Sequence, residues 1–400
     1  MKILQINSVV NWGSTGKIAE QIGLCILNHD SESYIAYGRD MGNVTSRSRL
    51  IRIGNKTAVY KHYIESLLLD NQGLGSRRAT RHLIEALKNI HPDLVHLHNL
   101  HGYYINYPIL FSYLRDNSIP VVWTMHDCWS FTGHCTYFDL VACKKWITGC
   151  INCPNKRDYP HSLYDNSAKN FKLKKQIFTN LDKIVMVPVS HWLADLTKKS
   201  FMGKYPIQVI HNGIDLSIFR IEQNKLREEL NLNGKYIVLG VSSNGFSGRK
   251  GLSDFLTLSQ ILPNQYQIIM IGLTQDELKI LPSNIIGIER TANVNELVAY
   301  YNLADIFINP TYSDNFPTTN IEALACGTPV ITYQTGGSPE ALDEKTGLIV
   351  SQGDIQTLVS AIQQLCTNPL SSEDCRKRAE EHFDKDKCFE QYIALYNSLL

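Results

Sequence analysis

Two carboxylates in the C-terminal half, Asp314 and Glu322, are separated by seven residues at a point where the chain could bind an anionic ligand. The segment between them follows an apolar run and precedes a helical pattern, so it lies at the carboxyl end of a predicted parallel strand. The start of that helix offers unpaired N–H groups and a positive dipole end, which suit a diphosphate. The carboxylates can accept hydrogen bonds from sugar or ribose hydroxyls. The alternative is a capping residue at Asp314 and a solvated helix residue at Glu322.

A second candidate is the glycine-rich turn at 241–252, which carries the adjacent cations Arg249 and Lys250. It also follows an apolar strand and precedes a helix. Two cations on such a turn can stabilise the negative charge that grows on a leaving diphosphate. The alternative is a solvated basic turn.

The N-terminal half places Gly16 and His126 just beyond predicted strands. Gly16 opens a helix, where a glycine lets the backbone approach a ligand or simply allows tight strand–helix packing. His126 follows the strand 121–125, so it points toward the ligand-binding edge of the sheet. It can form a hydrogen bond with a hydroxyl of the sugar or of the acceptor substrate.

Four of the ten cysteines fall within 19 residues, and Cys150 and Cys153 form a Cys-x2-Cys pair. Four thiolates at such spacing are typical of a structural zinc site, and the ion would fold an otherwise irregular insertion. The predicted ligands are Cys135, Cys143, Cys150 and Cys153, for any one of which His134 or Cys128 could substitute. Reduced thiols that pack as small apolar groups are the alternative, and the metal has no catalytic role in either case.

A lysine-rich segment, 169–178, alternates cations with apolar side chains. Such a helix can rest on anionic lipid, and a lipid-linked acceptor would be reached that way. A solvated helix face is the competing interpretation.

The elements that must position these residues alternate between short apolar strands and helices, which predicts doubly wound parallel sheets. The pattern restarts after residue 205, and 400 residues exceed one ordinary core. Strands are predicted at 2–8, 33–37, 94–98, 121–125 and 184–189, and then at 236–241, 267–271, 285–288, 305–309 and 329–332.

Composition excludes several classes of function. The formal net charge of +1 gives no global electrostatic case for nucleic acid, and no apolar run is long enough to span a membrane. The N-terminal apolar stretch is too short for a signal peptide. We therefore expect a cytoplasmic protein, in contact at most with the inner face of the plasma membrane.

The order of residues from Asp314 to Glu340 resembles the donor site of glycosyltransferase family 4, the retaining GT-B enzymes. The resemblance rests on the two spaced acids, on the run Ala-Cys-Gly-Thr-Pro-Val at 325–330, and on the Lys250-Gly251 pair. The family usually has Glu rather than Asp at 314 and an Arg where Gly245 stands. Arg249 either replaces that arginine or belongs to a different loop.

The resemblance implies a GT-B fold, with two facing Rossmann-like domains and a C-terminal helix that crosses back to the first. The implied domains are an acceptor domain at 1–204 with a Cys-rich insertion at 128–160, a donor domain at 205–385, and a terminal helix at 386–400.

It further implies a donor site without a catalytic metal, in which Lys250 and Arg249 hold the diphosphate, Glu322 the ribose, and Asp314 and His126 the sugar. The remaining donor-binding residues are Gly16, Asn315, Phe316, Pro317 and Thr318.

The insertion after His126 resembles that of bacterial exopolysaccharide enzymes of the colanic-acid type. The predicted function is therefore retaining transfer from a UDP- or GDP-sugar to a glycan or lipid-linked oligosaccharide in surface polysaccharide synthesis. A GT-B nucleotide-sugar epimerase and a non-catalytic nucleotide-sugar-binding protein are the alternatives.

Overall fold

Two six-stranded parallel sheets form the frame of the computed structural model, which describes residues 1–41, 45–243 and 245–400. The strands are β1 (Lys2–Asn7), β2 (Glu32–Tyr37), β3 (Arg49–Arg52), β4 (Leu94–Leu97), β5 (Val121–Met125), β6 (Ile184–Pro188), β7 (Tyr236–Val241), β8 (Tyr266–Ile271), β9 (Ile285–Ile288), β10 (Ile306–Asn309), β11 (Val330–Tyr333) and β12 (Gly347–Val350).

Helices connect most of the successive strands. They are α1 (Gly13–Asn28), α2 (Lys56–Leu69), α3 (Arg77–Ile90), α4 (Tyr107–Asp116), α5 (Ser167–Phe178), α6 (His191–Lys199), α7 (Leu226–Glu229), α8 (Leu252–Ile261), α9 (Gln275–Ile280), α10 (Val294–Leu303), α11 (Thr318–Ala325), α12 (Ile355–Thr367), α13 (Ser372–His382) and α14 (Lys385–Leu399).

Both sheets have the same strand order, which confirms the predicted pair of doubly wound, Rossmann-like domains. The first runs β3-β2-β1-β4-β5-β6 and the second β12-β11-β10-β7-β8-β9. In each sheet the order reverses between two central strands, β1 and β4 or β7 and β10. Such a reversal opens a crevice at the carboxyl ends of those strands, where ligands bind. The loops that follow β7 and β10 carry the candidate residues of the C-terminal half.

The sequence pattern missed the strands β3 and β12 and, among the helices, α2. Arg49, Leu50 and Arg52 of β3 are exposed at the edge of the sheet, so the strand lacks an apolar run. Helix α2 leaves Tyr60, Leu68 and Leu69 exposed, so it shows no clear apolar stripe. An unburied element gives little periodic signal.

The chain divides into two compact units, 1–211 with 388–400, and 212–387. In the first, Phe389, Tyr392 and Tyr396 of α14 are buried in a core with Ile3 and Val122. In the second, the core lies between the sheet and helices α8 and α12. None of the helices in the described part of the chain has the length and apolar character that a membrane span requires.

Candidate active site

The loop 310–317 joins β10 to α11 and holds a helix start suited to an anion. Pro317 stands at the N-cap and makes no side-chain cap hydrogen bond. Asn315, Phe316 and Pro317 are buried, whereas Thr318 is half-buried. The ring of Phe316 packs on that of Phe383, with centroids 5.7 Å apart. The first turn of α11 therefore keeps N–H groups for a ligand.

Asp314 forms an ion cluster with both predicted cations. Its Oδ2 lies 2.5 Å from Lys250 Nζ and 3.6 Å from Arg249 Nη1. Burial would raise the pKa of the Asp314 carboxyl, but the two cations lower it below its ordinary value. The carboxylate is therefore ionised at neutral pH and keeps both cations beside the start of α11, four residues away.

Backbone contacts fix the two loops against each other. Arg249 Nη1 donates to Ser313 O at 2.6 Å, and Tyr312 N donates to Arg249 O at 2.7 Å. Gly251 has a φ of +79°, and a Cβ there would lie 2.3 Å from Pro310 O. Only glycine permits this approach.

No sequence motif marks Glu277, which anchors the basic turn. Its Oε1 accepts the N–H groups of Phe246 and Ser247 at 2.8 and 2.6 Å, and its Oε2 accepts Thr274 N at 2.9 Å. Burial would raise the pKa of Glu277, but its hydrogen bonds to Ser247, Thr274 and Phe246 lower it. Asn244, which belongs to the same predicted turn, lies outside the described residues.

Glu322 lies on α11 and accepts a hydrogen bond of 2.9 Å from the buried Tyr301 hydroxyl. Two residues earlier, Asn320 bonds Asn309 at the end of β10 and Ser338 after β11. These amides fix α11 to two strand ends. Neither Tyr301 nor Asn320 was singled out from the sequence, because their partners are distant along the chain.

In the first unit, His126 lines a cavity at the carboxyl ends of β4 and β5 together with His98, His101 and Asp127. Asp127 Oδ2 lies 2.6 Å from His101 Nε2, and Tyr159 Oη lies 2.9 Å from His101 Nδ1. Burial would raise the pKa of Asp127, but His101 and the Trp129 N–H lower it. Asp127 is thus an ionised carboxylate on the cavity wall.

A chain of hydrogen bonds determines the tautomer of His126. Gln5 Nε2 donates to Ala19 O at 2.9 Å, so Gln5 Oε1 accepts from His98 Nε2 at 3.0 Å. Neutral His98 then accepts at Nδ1 from His126 Nε2, 3.1 Å away. Burial lowers the pKa of His126 to about 4, against the opposing effect of Asp127. Neutral His126 therefore bears its lone pair on Nδ1 and acts there as an acceptor.

Gly16 lies in the first turn of α1, which begins at Gly13, three residues earlier than expected. It is buried, and a Cβ would lie 3.1 Å from Val9 Cγ2 and 3.2 Å from Asn11 N. Close packing of α1 on the loop 9–11 accounts for this glycine without a ligand.

The four cysteines of the predicted zinc site line one cavity together with His134. They belong to the segment between β5 and α5, whose described regular structure is limited to short 3-10 turns. The structure thus brings Cys135, Cys143, Cys150 and Cys153 to one place.

Helix α5, which was predicted to expose an apolar side to lipid, buries that side instead. Phe171, Lys174 and Phe178 are buried. Lys174 Nζ donates to the carbonyls of Trp129 and Thr132 at 2.7 and 3.0 Å. The apolar side of α5 therefore packs inside the unit, which removes it as a lipid-binding face.

Comparison with known proteins places both halves among sugar-transferring enzymes. Residues 38–218 match the family model described as Glycosyltransferase Family 4, and residues 222–382 match that of Glycosyl transferases group 1. The glycosyl transferase WcaC of Escherichia coli K12, assigned to colanic acid biosynthesis, is 25% identical over 100% of both chains. The capsular polysaccharide enzyme CapM of Staphylococcus aureus is 27% identical over 47% of this chain and 53% of its own.

Solved structures share the architecture. A sucrose-phosphate synthase of Thermosynechococcus elongatus superposes with a TM-score of 0.73 at 18% identity, covering 99% of this chain and 98% of its own. HepE of Anabaena, solved with UDP-glucose, gives a TM-score of 0.68 at 14% identity over 100% of both chains. These likenesses establish the two-domain fold.

Proposed function

Because the chain belongs to glycosyltransferase family 4 and has the GT-B fold, we propose that it transfers a sugar from a nucleotide diphosphate sugar to a glycan or lipid-linked oligosaccharide, with retention of configuration. The names of WcaC and CapM favour surface polysaccharide synthesis as the pathway. HepE, which was solved with UDP-glucose, favours a UDP-sugar as donor over a GDP-sugar.

The observation that carries this proposal is the ion cluster of Asp314, Lys250 and Arg249 beside the uncapped start of α11. Two cations and one carboxylate leave a net positive charge, and the helix dipole adds to it. A departing diphosphate gains negative charge as the glycosidic bond breaks, so these groups bind the transition state more strongly than the ground state. No divalent ion is needed in this account.

In this proposal Asp314 holds the two cations and also binds the donor sugar. Both cations contact its Oδ2, and the Asn315 N–H also donates to this carboxylate. A carboxylate has about four acceptor sites, so we assign a remaining one to a hydroxyl of the donor sugar. Glu322, held by Tyr301, binds the ribose. In the first unit, His126 Nδ1 accepts a hydrogen bond from a sugar or acceptor hydroxyl. The acceptor attacks the same face of the sugar that the diphosphate leaves, and its proton passes to a phosphate oxygen.

The test is a transferase assay of purified protein, with UDP-glucose and a panel of other UDP- and GDP-sugars, and with extracted lipid-linked oligosaccharides as acceptors. Lys250→Ala should lower kcat/KM by about 10²–10³-fold, as loss of a transition-state contact does. Glu322→Ala should lower kcat/KM mainly by raising the KM for the donor, because it removes a ribose contact that is present before and during the reaction. His126→Ala should lower kcat/KM too. The matched control is Lys377→Ala, since Lys377 is 70% exposed on α13; its activity should equal that of the wild type.

Unchanged activity in both Lys250→Ala and Glu322→Ala would disprove the site. Free sugar as the sole product, with every acceptor present, would instead indicate hydrolysis or rearrangement of the donor.

A further inference from the structure

The cavity lined by four cysteines contains a fifth ligating side chain, His134, whose bonding indicates a metal. His134 is buried, and its Nδ1 lies 2.6 Å from Asp70 Oδ1, which is equally buried. Its Nε2 has no hydrogen-bond partner among the described residues. A buried ring nitrogen without a partner is costly, and native structures normally satisfy it.

A histidine that gives one ring N–H to a carboxylate and presents the other nitrogen is the usual arrangement around zinc. The carboxylate fixes the tautomer and makes the free nitrogen a better ligand. Asp70 is itself held, because its Oδ2 accepts Asn166 N at 3.0 Å and its carbonyl accepts Asn170 Nδ2 at 2.6 Å. The Asp70–His134 pair is therefore a rigid half of a metal site.

The thiols supply the other half. Cys135 and Cys153 line the same cavity, and Gly133 N donates to Cys150 Sγ at 3.2 Å. Backbone N–H donors of this kind stabilise a thiolate. Asp165 accepts the Cys153 N–H at 2.7 Å and thereby fixes the backbone of the Cys-x2-Cys pair.

We propose that His134, Cys135, Cys150 and Cys153 bind one structural Zn²⁺, with His134 in the position that the sequence pattern gave to Cys143. Three sulfurs and one nitrogen complete a tetrahedral shell, so the ion has no open position for catalysis. It ties the segment between β5 and α5 to Asp70 at the end of α2.

Binding also requires the ligands to draw together. Among the described residues, no three of these ligand atoms lie within 4.8 Å of one another in this cavity. Such groups of three occur at other places, and one of them consists of Cys25, His29 and Glu390. That surface group offers a matched control, because it has metal-ligating chemistry without an enclosed cavity.

The experiment measures zinc by mass spectrometry in the purified full-length chain and in five variants. The wild type should hold about one zinc per chain. Cys150→Ser and His134→Ala should lose it, whereas Cys143→Ser and Cys25→Ser should keep it. Asp70→Asn should weaken zinc binding by about 10–100-fold in competition with a chromophoric chelator, as loss of such a partner does.

A second measurement uses only the wild type, so it tests the proposal even if a variant fails to fold. A strong chelator should lower the Tm of the wild type, and added Zn²⁺ should restore it, because an ion bound only by the folded state stabilises that state. A metal-free wild type with a Tm indifferent to chelator would overturn the proposal. Retention of zinc by His134→Ala with its loss in Cys143→Ser would overturn the ligand set, and loss only in Cys25→Ser would place the ion on the surface.

Discussion

Two carboxylates, Asp314 and Glu277, hold the cationic groups of the candidate site in place. Asp314 is ionised because two cations flank it, and it holds those cations beside α11 in return. Glu277 contacts neither cation, yet it accepts the backbone N–H groups at the start of the turn that carries them. A charge-assisted hydrogen bond of this type is stronger than a neutral one. The site thus depends on a carboxylate that sequence motifs do not reveal.

Replacement of Glu277 by Gln keeps the shape and removes the charge. We expect the free energy of unfolding to fall by about 1–3 kcal/mol at pH 7.5, since a buried acceptor is weakened, and the KM for the donor to rise. The pKa of Glu277 is lower in the folded state than in the unfolded state, so its stabilisation is present above pH 4.5 and disappears as the pH falls through the folded pKa.

Urea unfolding at several pH values measures this difference, which should shrink on acidification. Glu344→Gln is the control, because Glu344 is exposed. Equal losses in the two variants, or a difference that grows toward low pH, would contradict the role of Glu277.

At the scale of elements, the site arises where loops from neighbouring strands meet at the reversal of strand order. The turn after β7 and the loop after β10 approach each other through Gly251, and the loop after β11 reaches Asp314 through Gly336. Gly336 has a φ of +56°, and a Cβ there would meet Asp314 O. Glycine at these points lets three loops share one small volume.

Gly251→Ala tests this close approach, and Gly248→Ala is its matched control. Both glycines have positive φ, but a Cβ at 248 meets nothing within 4 Å. Left-handed strain alone should cost each variant about 1–2 kcal/mol. Gly251→Ala should lose further stability and bind UDP more weakly, because the turn carrying Lys250 must move.

Calorimetry with UDP and thermal unfolding give both quantities. If the two variants bind UDP equally well, the contact between Gly251 and Pro310 does not position Lys250.

At the scale of the whole molecule, the chain builds two units of the same strand order and then returns to the first. Residues 388–400 belong to the first unit, where Tyr396 Oη lies 2.6 Å from His96 Nδ1. That unit also carries an apolar surface patch of Leu68, Leu69, Leu163 and Tyr164, all exposed. Leu163 N donates to Leu67 O at 2.8 Å, so the two parts of the patch adjoin.

The membrane contact expected from the sequence is best tested at this patch, because the apolar side of α5 is buried. The exposed Lys169 and Lys172 follow the patch in the chain, so anionic lipid should be preferred. The protein should float with vesicles of phosphatidylglycerol, less so at high salt, and Leu163→Ser should weaken the binding. Ile280→Ser, at an equally exposed apolar position of the second unit, should not.

No difference between the two variants, or equal binding to neutral phosphatidylcholine vesicles, would remove this patch as the membrane contact.

The sequence alone determined the alternation of strands and helices, the two domains of like topology, and the loops that carry Asp314, Lys250 and His126. Apolar runs and glycines are local signals that can be read from the sequence. In doubly wound sheets, ligands bind at the carboxyl ends of the strands, so the loops that follow the strands could be identified as well. Tertiary structure decided the rest. Glu277, Tyr301 and the Gln5–His98 chain are distant in sequence from the residues they hold, and Lys174 proved buried because burial depends on what packs against a helix. The hydrogen bond between His134 and Asp70, which is 64 residues away in the chain, was likewise visible only in the folded structure.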